Sequence, residues 1–131
     1  MPLVWVCSAA GVLGSIITFS FGRWTEALTF LIVAMAVDYV TGVAASLKIG
    51  KGLSSSLGFW GLARKGLALL IILLAHRIDI LLDSPDMTMG AAVYFYIANE
   101  LISITENYGR LGLPLPNRIR RIIEVLKEKD Q

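Results

Sequence analysis

The sequence predicts an all-α integral membrane protein, a helical bundle of three to four transmembrane helices with a C-terminal amphipathic helix. Three observations predict it. Of 131 residues, 56% are hydrophobic and 17% charged, with mean hydropathy +0.69. An ordinary soluble domain carries about 45–50% apolar and about 25% charged residues. The apolar residues come in blocks of span length rather than as one stripe per element. After the last block, the apolar positions fall at helical spacing among basic residues. This composition argues against a soluble enzyme and against a disordered tail. A membrane domain over residues 1–108 and a basic tail over 109–131 divide the chain.

Leu3 to Gly22 is twenty residues without a charge, enough to span a bilayer core as a helix. A cleaved signal peptide needs a basic start, and Met1-Pro2-Leu3-Val4 has none. The first span is therefore placed at about 3–22. Arg23-Trp24-Thr25-Glu26 is a polar break, with Trp24 where an interfacial aromatic belongs. Residues 27–47 form the second span, and its only charge is Asp38. Lys48 to Lys65 reads as a Gly/Ser-rich basic loop, in which Ser54-Ser55-Ser56 caps a short helix entering the next block. The third span is placed at 66–82 and the fourth at 88–107, separated by the turn Asp83-Ser84-Pro85-Asp86. A re-entrant or interfacial hairpin is the alternative for these two blocks. The stretch Gly109 to Pro116, with two prolines, is expected not to continue a helix. Asn117 then caps a helix whose Ile119, Ile122, Ile123 and Leu126 share one face. Arg118, Arg120, Arg121 and Lys127 surround that face, which marks a membrane-surface helix.

Charge sets the expected orientation. The segment Lys48–Lys65 holds four basic residues and no acid, whereas Asp79–Met89 holds three acids and no base. The positive-inside rule places the basic segment and the tail in the cytoplasm and the acidic turn outside. Four spans then leave both termini cytoplasmic. Arg23 on the outer side is the one charge against this scheme. A first block that does not span would leave three spans and an outer N-terminus.

The lone Cys7 and lone His76 form no metal-ligand pattern. No phosphate-binding glycine loop or nucleophile elbow is present. No cofactor, metal, catalytic residue or nucleic-acid partner is expected. Interest falls instead on charges inside the spans, where each costs on the order of 2.5–3.5 kcal/mol at a helix centre. Asp38, Arg77 and Glu100 are expected at similar depth, with Arg77 balancing the two carboxylates. Such a cluster serves either as glue between helices or as the lining of a water path. In the second span, Asp38, Thr41 and Gly42 lie on or beside a face of small residues. In the fourth, Tyr96, Asn99, Glu100, Ser103, Glu106 and Asn107 form a polar stripe that cannot face lipid.

Two stretches carry a resemblance. Asp38-Tyr39-Val40-Thr41-Gly42 precedes a Lys/Gly/Ser segment that reaches Gly58, Gly61 and Lys65. Asn99-Glu100, Ser103-Ile104 and Glu106-Asn107 precede Gly112-Leu113-Pro114-Leu115-Pro116. In order and spacing these resemble the toxin-secretion/phage-lysis holin family over roughly Leu28 to Leu126. The resemblance implies a small phage or prophage protein of the bacterial inner membrane. Such proteins accumulate, oligomerise and open lesions that release an endolysin or a toxin. The implied partners are other copies of the chain and the lipid bilayer, with an endolysin that need not touch it. It carries no catalytic residue. Asp38, Thr41, Gly42, Arg77, Tyr96, Asn99, Glu100, Ser103 and Asn107 are the expected pore-lining or interface residues. The rival reading is a four-span proton-coupled cation transporter using Asp38 or Glu100, with Tyr39, Tyr94 and Tyr96 around the site. A third is an anchoring subunit of a larger membrane complex.

Overall fold

The computed structural model describes residues 2–50 and 55–129, and all regular structure among them is helical. In chain order the helices are α1 (Pro2–Phe21), α2 (Glu26–Ile49), α3 (Ser55–Leu81), α4 (Met87–Leu111) and α5 (Asn117–Lys129). The first four are each long and apolar enough to cross a membrane. At about 1.5 Å per residue, the 24 residues of α2 reach about 36 Å. That exceeds a hydrocarbon core of about 30 Å. Blocks three and four are each a continuous helix long enough for a full crossing.

The first two spans end within two residues of their expected limits. The third does not. Helix α3 starts at Ser55, so most of the segment read as a basic loop is its first turns. The proposed serine cap includes Ser54, which lies outside the described residues, as does Lys51. Helix α4 also runs further than expected, through Gly109, Arg110 and Leu111. Glycine in a helix costs only about 1 kcal/mol, and lysine from a neighbour supports this end. Lys48 Nζ donates to the carbonyl of Leu111, one of the helix's last unpaired acceptors. Gly112 then stops the helix at φ 73°, with Leu113 N donating to the Tyr108 carbonyl at 3.0 Å. A β-carbon strains that left-handed conformation, so glycine belongs there.

Helix α4 is the centre of the bundle. It packs chiefly on α2, next on α3, while α2 and α3 meet only briefly. Leu28, Leu31 and Met35 of α2 form the core with Ile72 and Ala75 of α3 and Met89, Val93 and Ile97 of α4. All these positions lie toward the start of α2, the end of α3 and the start of α4. The core therefore fills the half of the bundle next to the Asp83–Asp86 turn. Outward-facing Phe30, Val33, Val40, Leu70, Leu74 and Phe95 stay exposed. So large an apolar exterior suits lipid, not water.

The acidic end is tied by one side chain. Asp79 of α3 is 1% exposed. Its carboxylate accepts from Thr88 N at 3.0 Å and Met89 N at 2.8 Å, in the first turn of α4. It also accepts from Ser84 Oγ at 2.8 Å. Asp86 holds the N-cap position of α4 but makes no side-chain cap bond. Asp79 thus satisfies two of the first-turn N–H groups from a different helix.

Helix α1 approaches α3 alone among the helices. Its contacts gather at its C-terminal end. Arg77 of α3 lies over the Phe19 ring, 4.3 Å from its centre, and donates to the Phe19 carbonyl at 3.3 Å. Gly22, at φ 67°, faces the buried His76 so closely that a β-carbon would stand 2.6 Å from its Cε1. The rest of α1 is apolar and exposed from Leu3 to Ile16. Helix α5 rests against α4. Ile123 is buried and Leu126 half-buried, but Ile119, Ile122 and Val125 remain open. Arg118, Arg120, Arg121 and Lys127 are exposed.

Candidate functional site

The second half of the three-helix unit is polar inside. Lys65 of α3 reaches between two carboxylates. Its ammonium donates to Asp38 Oδ2 at 2.8 Å, and to Glu100 Oε1 and Oε2 at 2.8 and 2.9 Å. The side chains of all three are mostly withdrawn from solvent. One lysine with two carboxylates satisfies three donors and most of the acceptors.

Asn107, 2% exposed, joins α4 to α2 beside this triad. Its Nδ2 lies at 2.9 Å from Asp38 Oδ1, 3.0 Å from the Asp38 carbonyl and 2.9 Å from Thr41 Oγ1. Its own Oδ1 accepts from Arg110. Thr41 in turn donates to the Val37 carbonyl at 2.8 Å. Gly42 faces the Asn107 amide, and a β-carbon there would still have 3.6 Å. Gly42 therefore allows close approach without being sterically required.

Above the triad a cleft of about 540 Å³ opens between α2, α3 and α4. Asp38, Gly42, Tyr96, Asn99, Glu100, Ser103 and Asn107 line it, as do Tyr39, Ser46, Arg64 and Arg110. Tyr39 OH points to the Gly58 carbonyl across the cleft at 3.5 Å. The polar stripe of the fourth block is thus folded inward. Glu100 and Asn107 are buried, Tyr96 and Ser103 half-buried, and Asn99 sits at the exposed rim. Glu106 and Tyr94 are exposed.

Arg77 does not join the carboxylates. It stands on α3 twelve residues beyond Lys65, about 18 Å along the axis, and engages Phe19 instead. The cation that occupies the cluster is Lys65, where Arg77 is expected from the sequence. The error has one source, the starting point of α3. Counted from Gly66, Lys65 belongs to a loop and Arg77 reaches mid-span. Counted from Ser55, Lys65 lies ten residues into the helix, about 15 Å. Asp38 and Glu100 each stand eleven residues from the same end of the bundle, about 16 Å. Equal depth for these three was readable once the helix was extended. The role of Asp79 had no such signal, since its partners are backbone groups brought by a turn.

Residues 15–128 match the sequence pattern of the family described as the bacteriophage holin family. An uncharacterized protein of Halalkalibacterium halodurans is 39% identical over 124 residues, covering 91% of each chain. An uncharacterized 14.9 kDa protein in the nagH 3′ region of Clostridium perfringens is 40% identical over 118 residues, covering 89% of each. A protein of Bacillus phage phi105 bearing the name "Probable holin" is 36% identical over 114 residues, covering 86% of this chain and 83% of that one. No solved structure matches the chain. These similarities support a holin role and do not favour the transporter reading.

Proposed function

The chain belongs to the bacteriophage holin family, and from that premise we propose that it accumulates in the bacterial inner membrane, self-associates and opens lesions. An endolysin, or a toxin, leaves the cytoplasm through them. The observation that carries this reading is the inward turn of the polar face of α4. Glu100 and Asn107 are buried against α2 and α3, while the exterior is apolar. A single chain folded this way is compatible with lipid on its outer surface. A lesion wall needs polar groups toward water, and the same stripe supplies them if the helices part and copies associate. The residues assigned to that wall are Asp38, Thr41, Gly42, Tyr96, Asn99, Glu100, Ser103 and Asn107. Arg77, expected among them, is instead assigned to holding α1. No catalytic step is assigned to the chain.

The basic end, with Lys48, Arg64 and Arg110, is assigned to the cytoplasmic side together with α5, and both termini with it. Cysteine labels at Ser55 and Ser84, in a Cys7→Ser background, test this. Ser55 is expected to be shielded from an impermeant reagent in intact cells and Ser84 to react. Labelling at Ser55 alone would reverse the orientation.

The functional test is induction of the gene in a bacterium, with and without a cytoplasmic endolysin. Turbidity and membrane potential are followed together. Collapse of potential in both cultures, with abrupt clearing only when the endolysin is present, is the expected result. Harmless accumulation in the membrane would sink the reading.

A further inference from the structure

The cleft above the triad carries a charge imbalance. Its lining holds two carboxylates, Asp38 and Glu100, and three cations, Arg64, Lys65 and Arg110. Lys65 is fully engaged by both carboxylates. Arg110 donates to the neutral Asn107 amide, and no carboxylate lies within ion-pair distance of Arg64 or Arg110 among the described residues. One positive charge is left over at the basic end of the bundle, which the orientation proposed above puts at the cytoplasmic headgroup layer. Arg64 and Arg110 are both exposed at the mouth of the cleft, so this surplus charge is open to a monoanion arriving from outside.

We propose that this cleft binds the phosphodiester headgroup of one anionic phospholipid, held by Arg64 and Arg110. The ligand class follows from charge, shape and place. A phosphodiester carries one negative charge, which brings the sum to zero. Guanidinium groups match phosphate oxygens with paired donors. The cleft is of the size that holds a small ligand, about 300–1,000 Å³. It sits between transmembrane helices at a basic end, where pockets take anionic headgroups. Ser46, Ser103 and Asn99 supply hydroxyl and amide groups for the polar part of the headgroup. The site is separate from the exposed basic face of α5, which meets the bilayer as a surface.

Native mass spectrometry of the full chain, purified in a non-ionic detergent, tests the proposal. Phosphatidylglycerol, phosphatidylcholine and inorganic phosphate are the probes. One phosphatidylglycerol per chain is expected, well in excess of phosphatidylcholine, and unmoved by millimolar phosphate. Arg64→Gln with Arg110→Gln is expected to weaken it about twenty-five-fold, at about fivefold per lost cation. Arg118→Gln with Arg121→Gln removes the same charge from α5 and is expected to leave it unchanged. Circular dichroism of both variants checks that helix content is kept. A third variant, Asn99→Leu with Ser103→Leu, narrows the cleft and leaves every charge in place; it is expected to weaken binding as well. Equal binding of the two lipids would overturn the proposal. So would equal loss in the α5 variant, or displacement by phosphate, which would make the ligand a free anion. Binding is read without lysis, so this result is independent of lesion formation.

Discussion

The same three helices build two unlike halves. Toward the acidic turn, Leu28, Leu31, Ile72 and Val93 interlock as an apolar core, and the one buried carboxylate, Asp79, is spent on backbone N–H groups. Toward the basic end, Asp38, Lys65, Glu100 and Asn107 hold the helices together through charge and hydrogen bonds around an open cleft. Apolar packing in lipid gains only dispersion, but it is insensitive to charge. A buried ion cluster depends on every member, because removing one leaves the others uncompensated. On the proposed function, the first half is the one that stays shut and the second the one that comes apart.

Removing Lys65 is the strongest way to break that contrast. Lys65→Met is expected to cost about 3–5 kcal/mol by stranding two carboxylates. Lys65→Met combined with Asp38→Asn and Glu100→Gln is expected to recover most of it. Unfolding in mixed micelles, with crosslinked oligomers as a second measure, checks both variants. If the triple variant is no better than the single, the triad is not an energetic unit. A smaller effect comes from the other half. Gly22→Ala places a β-carbon against His76 at a positive φ, and is expected to cost about 1–3 kcal/mol. Its unfolding should be monitored by a fluorophore on α1. Wild-type stability would mean that His76 moves aside freely.

The smallest effect expected is at Arg77. Arg77→Leu loses one cation–π contact and one hydrogen bond, about 0.5–1 kcal/mol for the former. Its loss is expected to add to those of Asp38→Asn and Glu100→Gln in double-mutant cycles. Coupling above about 0.5 kcal/mol would place Arg77 back in the cluster.

The sequence makes the helix count, the first two spans and the tail face legible, because twenty uncharged residues or a 3.6-residue period leave little choice. The polar stripe of α4 was legible for the same reason, since Tyr96, Asn99, Glu100, Ser103 and Asn107 share one face. The ends of α3 and α4 were not. Gly58, Gly61, Arg64 and Lys65 look like loop residues to any composition rule, yet all four lie in α3. Lys65 gains two carboxylates that are distant in sequence, and Leu111 gains Lys48. Those gains outweigh local propensity. Asp79 shows the same limit differently. Its charge is plain in the sequence, but its hydrogen bonds depend on a turn geometry that no spacing rule contains.

The knot at Asp79 has a mechanical consequence. With α3 and α4 stitched at one end and joined further along through the Lys65–Glu100 ion pair, the bundle resembles a peg with its pivot at the acidic turn. Helix α4 has 25 residues, a lever of about 37 Å. A rotation of about 5° at such a pivot displaces the far rim on the order of 3 Å, a distance comparable to a hydrogen bond. The rim that travels furthest is held by a contact of just that reach, the Lys48 ammonium on the Leu111 carbonyl.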